Sequence, residues 1–587
     1  MRLGELLELV AAHAARRDDA QAGVVTLRSA AGKPVTTLPG DVALTRICDI
    51  TEDSRTVVPG SLFIARKGLK SDGKQYIRQA IEAGAAAILT DDPEVLSAGE
   101  SLPVPVLACD DAMLASALIG EAFYGYASRS IDLIGVTGTN GKTTTTYLIW
   151  QLLNGLKRRC GLVGTVLIDD GVEVARAMMT TPPAIEVSRT LARMHEAGCV
   201  AATLEVSSHA LDQKRVDALQ LRVGLFSNLT GDHLDYHGTM EQYAAAKARL
   251  FALLTPDGVA LVNALDPWHQ RMIRDCKAKV CTLAVLDTVG NQLDFDYTCM
   301  ILSQSMQGME VLFTGPFGSF DATTSLIGRF NAFNLLAAVA STFELGIPGL
   351  TVHSLAEGIR HLHAPPGRLE RVSATAAPIH VFVDYAHSDD SLAKVLSALT
   401  CVMPARHAGA MVDAIAGSPG SLESTPRLWC VFGCGGDRDR SKRPRMGLVA
   451  CQLSDFVVIT SDNPRSERPS DIVDQILAGI PAGLRNKVHV QVDRARAIQF
   501  AVEHALAGDV IVIAGKGHET EQILPDGNGG TITTHFDDRE VARAALLEKG
   551  LPIFVSDVDP SLGRAGRVRD IQDVEVATSQ KTRRTRS

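Results

Sequence analysis

Residues 131–146 read IDLIGVTGTNGKTTTT, an apolar run that turns through glycines into a lysine and four threonines. The run from Ile131 to Val136 is typical of a buried parallel strand. Apolar residues at helical spacing follow it; they are Leu148, Ile149, Leu152, Leu153 and Leu156. A strand, a glycine-rich turn and a helix in this order predict a loop whose backbone N–H groups and helix N-terminus cradle phosphate.

Lys142 and Thr143 stand where a phosphate loop carries its functional side chains. The lysine can reach the terminal phosphates of a nucleotide, and the threonine hydroxyl can hold Mg²⁺. The strict pattern G-x-x-x-x-G-K-S/T requires glycine at position 136, where this chain has Val136. A plain glycine turn before a threonine-rich helix is the alternative, and the flanking strand and helix favour the phosphate loop.

Length, charge and cysteine content limit the class of protein. A chain of 587 residues predicts about three to four domains, and its net charge of −9 gives no basic footprint for nucleic acid. The eleven cysteines are scattered without a C-x-x-C pair, which indicates a reducing compartment rather than disulfides or zinc. We therefore expect a cytoplasmic protein with no signal peptide, no membrane span and no nucleic-acid partner.

Alternating strand-like and helix-like segments predict an α/β protein of three domains. We place a small N-terminal α/β domain at residues 1–110 and a central domain with a P-loop ATPase-type parallel sheet at 111–364. A C-terminal domain with a doubly wound, Rossmann-like sheet follows at 365–550. Residues 551–587 form a predicted disordered tail, and the Ala-, Gly- and Ser-rich stretch 404–426 is a predicted surface insertion.

Polar side chains follow the predicted strands of the central domain. Glu205 ends the apolar run 199–206, and His233 follows the run 221–229. Because parallel strands end at one edge of a sheet, these groups and Thr143 could converge on one Mg²⁺, although histidine is an unusual ligand for magnesium. Polar loops that only cap the sheet are the alternative. Lys247 lies in the helical segment YAAAKARLF, where position alone predicts a solvated side chain.

The C-terminal domain carries a basic cluster after the second of its four predicted strands, which lie in the segments 379–387, 428–439, 455–467 and 509–519. The cluster consists of Arg438, Arg440, Lys442, Arg443 and Arg445. Guanidinium groups match carboxylates and phosphates, but a solvated basic face explains the cluster equally well. In the N-terminal domain, the triplet Asp53-Ser54-Arg55 indicates a solvated turn on spacing alone.

Short motifs in a fixed order make the chain similar to the Mur ligase family from about Ile47 to about Leu547. They are DSR, GTNGKT, TTP, EVSSHALDQKRV, NLTGDHLDYHGTM, YAAAKARLF, GRFNAFN, PGRLE, DYAH, GCGGDRDRSKRP, DNPR and GKGHE. Mur ligases are ATP-dependent enzymes that build the peptidoglycan stem peptide. The chain most resembles the branch that adds meso-diaminopimelate.

The resemblance implies sites for ATP and Mg²⁺. The positions that would contact ATP are Gly138, Thr139, Asn140, Gly141, Lys142, Thr143, Thr144, Asn331, Asn334, Arg368 and Asp384. The positions that would bind magnesium are Thr143, Glu205 and His233, together with Lys247, which aligns with a lysine that is carbamylated in the family and would then bind a second Mg²⁺. Lys142, Lys247, His233 and Glu205 would form the catalytic centre. This role replaces the solvated position that spacing predicts for Lys247.

The resemblance also implies positions for two further substrates. UDP-N-acetylmuramoyl-L-alanyl-D-glutamate would contact Ser54, Thr180, Thr181, Ser207, Gln213 and Arg215. meso-Diaminopimelate would contact Arg443, Asp462, Asn463, Pro464, Arg465, Gly515 and Glu519. Arg465 would bind the distal carboxylate of diaminopimelate, whereas local sequence alone allows a surface pair with Glu467.

The implied reaction begins with an acyl phosphate on the D-glutamyl γ-carboxylate and ends with transfer of the acyl group to the amine of meso-diaminopimelate. The enzyme would act as a monomer. The stretch Gly68–Gly73 and the sequence SDDS after His387 differ from the family pattern. Three alternatives stay open: a lysine-adding Mur ligase, a folylpolyglutamate synthetase-like ligase and a catalytically silent scaffold homologue.

Overall fold

A computed structural model describes residues 1–16, 28–29, 40–68, 71–92, 94–95, 102–287, 294–403 and 425–554. The chain divides into two compact units, one with Met1–Pro365 and Ser397–Ala405, the other with Pro366–Leu396 and Arg406–Ser587. Most of the predicted insertion at 404–426 and of the predicted tail at 551–587 lies outside the described residues, as do two positions of the stretch Gly68–Gly73.

A five-stranded sheet occupies the start of the first unit. Its strands are β1 (Arg28–Ser29), β2 (Asp49–Thr51), β3 (Ser61–Ala65), β4 (Ala87–Thr90) and β5 (Val106–Ala108). They lie in the order β1-β5-β4-β3-β2, and all pairs except β1 with β5 are parallel. Residues of β3 and β4 are buried throughout and pack with the helix Ala112–Phe123, because parallel strands are covered on both faces.

An eleven-stranded sheet forms the centre of the first unit. Its strands are β6 (Asp132–Thr137), β7 (Cys160–Val163), β8 (Leu167–Asp169), β9 (Val174–Arg176), β10 (Ala201–Glu205), β11 (Leu221–Phe226), β12 (Leu254–Asn263), β13 (Lys279–Leu286), β14 (Tyr297–Ser305), β15 (Gly308–Gly315) and β16 (Gly318–Thr324). The order is β16-β15-β14-β13-β12-β11-β6-β10-β7-β8-β9. Parallel pairs run from β7 to β14, and antiparallel hairpins close both edges. In this sheet β6 lies between β10 and β11. The predicted phosphate loop, which follows β6, is therefore flanked by the segments that follow those two strands.

A six-stranded sheet organises the second unit. Its strands are β17 (Glu370–Arg371), β18 (His380–Asp384), β19 (Leu428–Phe432), β20 (Phe456–Ile459), β21 (Val488–Val490) and β22 (Val510–Ala514). They lie in the order β17-β18-β22-β19-β20-β21, and only β17 is antiparallel. Because the last strand, β22, lies between β18 and β19, the loops after these three strands are neighbours at one edge. A separate hairpin joins β23 (Glu521–Pro525) to β24 (Thr531–His535).

Helices connect and cover the sheets. The α-helices are Leu3–Arg16, Gly40–Ala43, Ile77–Glu82, Ala112–Phe123, Lys142–Gly155, Ala184–Glu196, Ser208–Asp212, Leu234–His237, Met240–Ala252, His269–Met272, Arg329–Glu344, Val352–Arg360, Asp389–Val402, Lys442–Leu453, Pro469–Ala478, Arg494–His504 and Asp538–Glu548. The 3₁₀ turns are Ser54–Thr56, Gly73–Tyr76, Ala127–Arg129 and Ala482–Lys487. Within the described ranges, no helix is long and apolar enough to cross a membrane.

The predicted α/β class is confirmed, and the predicted strands occur with shorter bounds. The α-helix Ile77–Glu82 directly follows the 3₁₀ turn Gly73–Tyr76 and ends after six residues. Gly84 follows with φ +101°, and a Cβ there would lie 2.8 Å from the Cα of Pro59. The close approach of this turn to Pro59 ends the helix and leads the chain into β4.

Candidate functional site

The loop between β6 and the helix Lys142–Gly155 is held by the end of the neighbouring strand β11. The N–H of Thr139 donates to the carbonyl of Asn228 over 2.8 Å, and the N–H of Asn140 donates to the Asn228 side-chain oxygen over 3.0 Å. A Cβ at Gly138, whose φ is +145°, would lie 2.0 Å from the Ser227 hydroxyl. The loop is therefore fixed in a conformation that only glycine allows at this position.

Two lysines donate to one carbonyl of this loop. The Lys142 ammonium lies 3.0 Å from the Gly138 oxygen and 2.9 Å from the Thr139 oxygen. The Lys247 ammonium reaches the same Gly138 oxygen over 2.7 Å and lies 4.6 Å from the centre of the Tyr243 ring. Lys247 is 1% exposed, so the solvated position that spacing alone predicts is wrong. Burial, followed by the charge of Lys142, lowers the pKa of Lys247 well below its usual value.

Glu205, at the end of β10, joins the phosphate loop to the segment after β7. The Thr143 hydroxyl donates to Oε2 of Glu205 over 2.9 Å. Thr165 donates its backbone N–H to Oε1 over 2.5 Å and its hydroxyl to Oε2 over 3.0 Å. Glu205 is fully buried. Hydroxyl and carboxylate oxygens are ligands that magnesium prefers, so Thr143 and Glu205 suit this ion.

Lys247 suits a metal only in a modified form. An ammonium group has no lone pair for a metal, whereas a carbamate on the same nitrogen offers two oxygens. Within the described part of the chain, His, Cys, Asp and Glu side chains nowhere form a group of three that could hold a metal ion. The Thr143 hydroxyl and a carbamate on Lys247 would supply ligand oxygens in addition to those of His, Cys, Asp and Glu side chains.

His233 lies in a cluster of rings beside Lys247. Its ring centre is 5.0 Å from that of His209 and 6.3 Å from that of Tyr243, and its φ of +54° places it in the left-handed region. Burial lowers the pKa of His233, and burial together with His233 lowers the pKa of His209 to about 4. Both imidazoles are therefore neutral at physiological pH, the form in which histidine can bind a metal.

Five of the six positions predicted for the muramyl substrate adjoin Glu205. The Thr181 hydroxyl donates to the Glu205 carbonyl over 2.7 Å and accepts from the N–H of Ser207 over 3.1 Å. Arg215 donates to the Thr181 carbonyl over 2.5 Å and to the Gln213 side chain over 2.7 Å. The hydroxyl of the fifth position, Thr180, lies 3.1 Å from the Thr165 hydroxyl.

The sixth position, Ser54, lies in the five-stranded region of the same unit. Its hydroxyl donates to the Gln79 side chain over 3.1 Å, and the residue is 8% exposed. The neighbouring Arg55 is 82% exposed and pairs with Asp53. Within the triplet, Arg55 is therefore solvated, as the spacing indicates, whereas Ser54 is buried.

Asn331 and Asn334 support the phosphate loop from the helix Arg329–Glu344. Asn334 donates to the Asn331 side chain over 3.1 Å and accepts from the Thr145 hydroxyl over 3.1 Å. Both asparagines are buried, and a Cβ at Gly141 would lie 2.8 Å from the Asn334 side-chain oxygen. These two predicted ATP positions are thus part of the packing beneath the loop.

Arg368 and Asp384, the other predicted ATP positions, belong to the second unit. Asp384 ends β18 and accepts from the N–H of Leu369 over 2.5 Å and of Ala386 over 2.7 Å. Burial raises the pKa of Asp384 to about 6. The Arg368 guanidinium lies 4.4 Å from the centre of the Tyr385 ring.

The loops after β20 and β22 bring together most of the positions predicted for diaminopimelate. Asn463 donates to the Glu519 carboxylate over 2.8 Å, and the fully buried Lys516 lies 3.1 Å from Asn463 and 3.4 Å from Glu519. A Cβ at Gly515 would lie 2.8 Å from the Asp462 carboxylate. Burial, and then the charge of Asp462, raise the pKa of Glu519. Two carboxylates thus face one small space, as recognition of amino groups requires.

Arg465 is held in an uncommon backbone conformation. Its φ is +52°, its N–H donates to the Ile523 carbonyl over 3.0 Å, and its guanidinium donates to the Gly436 carbonyl over 2.7 Å. Glu467, the alternative partner from local sequence, instead pairs with Arg443 at 2.9 Å and with Arg440 at 3.2 Å. A non-glycine residue with positive φ is a mark of a constrained functional position.

Arg443 lies inside the protein. Its side chain is 0% exposed and donates to both oxygens of Glu467, to Gln475 and to the Gly435 carbonyl at 2.8–3.0 Å. The bond from Arg443 is the first cause that lowers the pKa of Glu467 to about 2. A guanidinium with these partners fixes the loop after β19, whereas Arg440 and Arg445 of the same cluster are more than half exposed.

Several residues that build these sites do not occur among the predicted positions. Asn228 lies inside the motif NLTGDHLDYHGTM, and Lys516 lies inside the motif GKGHE. Their places in these motifs could have identified both residues as parts of the sites. Thr165 and Arg494 have no such signal, because their contacts join segments that are distant in the chain.

Comparison with known proteins identifies the relatives of this chain. Three family models match: "Mur ligase family, catalytic domain" at residues 46–117, "Mur ligase middle domain" at 136–342 and "Mur ligase, glutamate ligase domain" at 405–517. UDP-N-acetylmuramoyl-L-alanyl-D-glutamate–2,6-diaminopimelate ligase of Gloeobacter violaceus is 43% identical over 503 residues, 86% of this chain and 94% of that protein. The Synechococcus elongatus protein of the same name is 42% identical over 512 residues, 87% and 95% of the two chains.

A solved structure of a ligase with this name agrees with the sequence comparison. It is 31% identical, covers 88% of this chain and 98% of that one, and superposes with a TM-score of 0.60. The fold similarity therefore extends over nearly the whole of the known enzyme.

Proposed function

Because this chain belongs to the Mur ligase family, we propose that it is an ATP-dependent ligase that adds meso-diaminopimelate to UDP-N-acetylmuramoyl-L-alanyl-D-glutamate in peptidoglycan synthesis. The observation that carries the proposal is the loop after β20, where the Arg465 guanidinium lies 3.4 Å from the Asn463 carbonyl and the Asn463 side chain donates to the Glu519 carboxylate. Arg465, Asp462 and Glu519 supply a cation and two carboxylates at one sheet edge, which match a substrate with a distal carboxylate and two amino groups. A second cation, the buried Lys516, pairs with Glu519.

The reaction has two steps that balance without a protein nucleophile. The γ-carboxylate of D-glutamate attacks the γ-phosphorus of ATP, which forms an acyl phosphate and releases ADP. The amine of diaminopimelate then attacks the acyl carbonyl, and phosphate leaves after the nitrogen loses a proton. Such transfers depend on positioning and charge stabilisation, which Lys142 supplies at the phosphate loop.

Thr143, Glu205 and His233 are the proposed ligands of one Mg²⁺, and a carbamylated Lys247 is the proposed ligand of a second. These ions would neutralise phosphate charge when bound. The carbamate forms when the neutral ε-amine of Lys247 bonds to the carbon of CO₂ and releases a proton. The lowered pKa of Lys247 supports this step, because only an unprotonated amine reacts.

The roles of the remaining predicted positions follow from their contacts. Thr181, Ser207 and Arg215 are proposed to hold the muramyl substrate next to Glu205. Arg465 is proposed to bind the distal carboxylate of diaminopimelate, and Asp462 and Glu519 its amino groups. Arg443 is proposed to position this loop rather than to contact the substrate. A monomeric enzyme in the cytoplasm remains the expectation for its state and location.

A product assay that offers meso-diaminopimelate and L-lysine in parallel tests the proposal. We expect ATP-dependent formation of the diaminopimelate tripeptide and little lysine product. Preference for lysine would identify the lysine-adding alternative. Activity only with a folate substrate would identify a folylpolyglutamate synthetase-like ligase, and absence of substrate-dependent phosphate release would identify a silent scaffold.

A further inference from the structure

We propose that Arg494, which contacts none of the proposed substrate positions through its own side chain, is a positioning residue for diaminopimelate. It extends from the helix Arg494–His504, and its side chain is 0% exposed. Its guanidinium donates two bonds of 2.7 Å to the fully buried carboxylate of Asp538. The inference rests on the proposed function, since it concerns the same pocket.

The other bonds of Arg494 reach the ends of two strands. One nitrogen donates to the carbonyl of Ser461 over 3.2 Å, and another donates to the carbonyl of Ala514 over 2.9 Å. Ser461 directly precedes Asp462 after β20, and Ala514 directly precedes Gly515 at the end of β22. One planar group therefore joins the two loops that carry the proposed diaminopimelate contacts.

These two strands do not pair with each other. β19 lies between β22 and β20 in the sheet, so no ladder hydrogen bond fixes the end of one against the end of the other. The Arg494 guanidinium supplies one such connection through the carbonyls of Ser461 and Ala514. Although burial opposes the shift, the carboxylates of Asp538 and then of Asp462 and Glu519 raise the pKa of Arg494.

The pocket has little tolerance for relative movement of its two loops. A Cβ at Gly515 would already lie 2.8 Å from the Asp462 carboxylate. Asn463, Lys516 and Glu519 bond across the same gap. Misplacement of reacting groups by about 1 Å costs about a hundredfold in rate, so a small shift of either strand end would weaken diaminopimelate binding.

A matched control exists at the opposite edge of the same sheet. Arg427 precedes β19, and Asp509 precedes β22. The Arg427 guanidinium donates to Oδ2 of Asp509 over 2.8 and 3.1 Å and to Oδ1 over 3.3 Å. Asp509 is 1% exposed. This pair also joins two strands through a buried carboxylate, but it lies at their amino ends, away from the proposed pocket.

Arg494→Lys and Arg427→Lys are the variants for the test. Lysine keeps the charge but cannot form the planar set of bonds. For each variant, KM is measured separately for diaminopimelate, ATP and the muramyl substrate, together with kcat and Tm. Arg494→Lys is expected to raise KM for diaminopimelate about tenfold or more and to change the other two KM values less than about twofold. Arg427→Lys is expected to lower Tm and leave all three KM values within about twofold.

Several outcomes would overturn the inference. They are an unchanged KM for diaminopimelate in Arg494→Lys, equal changes for all three substrates, and the same change in Arg427→Lys. If Arg494→Lys does not fold, Asp538→Asn is assessed by the same criteria. Failure of both to fold while Arg427→Lys folds would assign Arg494 a purely structural role. A wild-type enzyme that ignores diaminopimelate would instead refute the proposed function before any variant is compared.

Discussion

The charge of the Lys247 side chain depends on the residues that surround it. Its ammonium shares the Gly138 carbonyl with Lys142 in a buried place, where two like charges are unfavourable. Burial and this neighbouring charge lower the pKa of Lys247, and carbamylation of its neutral amine would give it a negative charge. The two lysines would then attract each other across the phosphate loop.

The first prediction is that Lys247→Ala loses most ligase activity and regains part of it with short added carboxylic acids. An added acid can supply the carboxylate that the carbamate would provide. Lys394→Ala is the control, because Lys394 lies on a helix with a side chain that is 42% exposed. Full activity of Lys247→Ala without additives would refute the carbamate.

The second prediction concerns Lys142, whose ammonium points to the loop carbonyls that surround the phosphate position. Lys142→Ala should slow acyl-phosphate formation by about a hundredfold or more, since groups that stabilise transition-state charge contribute on that scale. Binding of the muramyl substrate, measured by calorimetry, should change much less. An equal loss of binding and turnover would show that Lys142 mainly supports the fold.

The third prediction concerns the choice of amino acid. Hydrogen bonds to charged groups contribute roughly 1.5–3 kcal/mol, so Arg465→Ala should lower kcat/KM for diaminopimelate about ten- to a hundredfold. Residual activity with lysine should fall much less, because lysine has no distal carboxylate. Arg440→Ala, in the basic cluster after β19, is the control, because the Arg440 side chain is 65% exposed. Proportional loss of both activities would contradict this role.

At the scale of elements, the loops after β19 and β20 support each other through backbone contacts. A Cβ at Gly436 would lie 1.8 Å from the carbonyl oxygen of Pro464, and Gly436 also accepts the bond from Arg465. The position of the Arg465 side chain thus depends on a glycine in a different loop.

The fourth prediction is that Gly436→Ala lowers kcat/KM for diaminopimelate about tenfold or more, since the added methyl group must displace the loop that carries Arg465. KM for ATP should remain nearly unchanged. Gly483→Ala provides a comparison, because a Cβ there meets nothing within 4 Å. Normal kinetics of Gly436→Ala would indicate that the loop adapts without loss.

Local sequence patterns predicted the strands better than they predicted the contacts between site residues. Apolar runs bounded by glycine loops predicted β6, β10, β11 and the strands of the second unit, because both signals lie within a few residues. Burial of Lys247 could not be predicted from its helix, since the groups that surround it come from the phosphate loop. The bonds of Thr165 to Glu205 and of Arg494 to two strand ends span at least 20 residues, beyond any local pattern.

At the scale of the whole molecule, a buried acid affects the stability of the first unit. Glu121 is fully buried on the helix Ala112–Phe123, where one carboxylate oxygen accepts from the Ser128 hydroxyl over 2.6 Å. Burial raises the pKa of Glu121. The folded state then holds this proton more tightly than the unfolded state, so stability falls as pH rises above the unfolded pKa.

The fifth prediction follows from this loss of stability with rising pH. Glu121→Gln should raise Tm at pH 8 by at least about 2 °C, because glutamine carries no charge to bury. The gain should disappear below about pH 4, where the unfolded carboxyl is protonated too. Glu186→Gln, at a side chain that is 48% exposed on the helix Ala184–Glu196, should show no such pH-dependent gain. Parallel pH profiles of wild type and Glu121→Gln would contradict the prediction.

The close backbone contacts at Gly436 and Gly515 also limit how this pocket can evolve. A side chain at Gly436 would meet the Pro464 carbonyl and one at Gly515 the Asp462 carboxylate, so substitutions at either glycine are expected to lower activity before they change selectivity. New amino-acid preferences are therefore expected to arise at the side chains proposed to contact diaminopimelate, in the loop Asp462–Arg465 and at Glu519. A lineage that changes its cell-wall cross-link through this enzyme would do so by few substitutions, in two short segments of its gene.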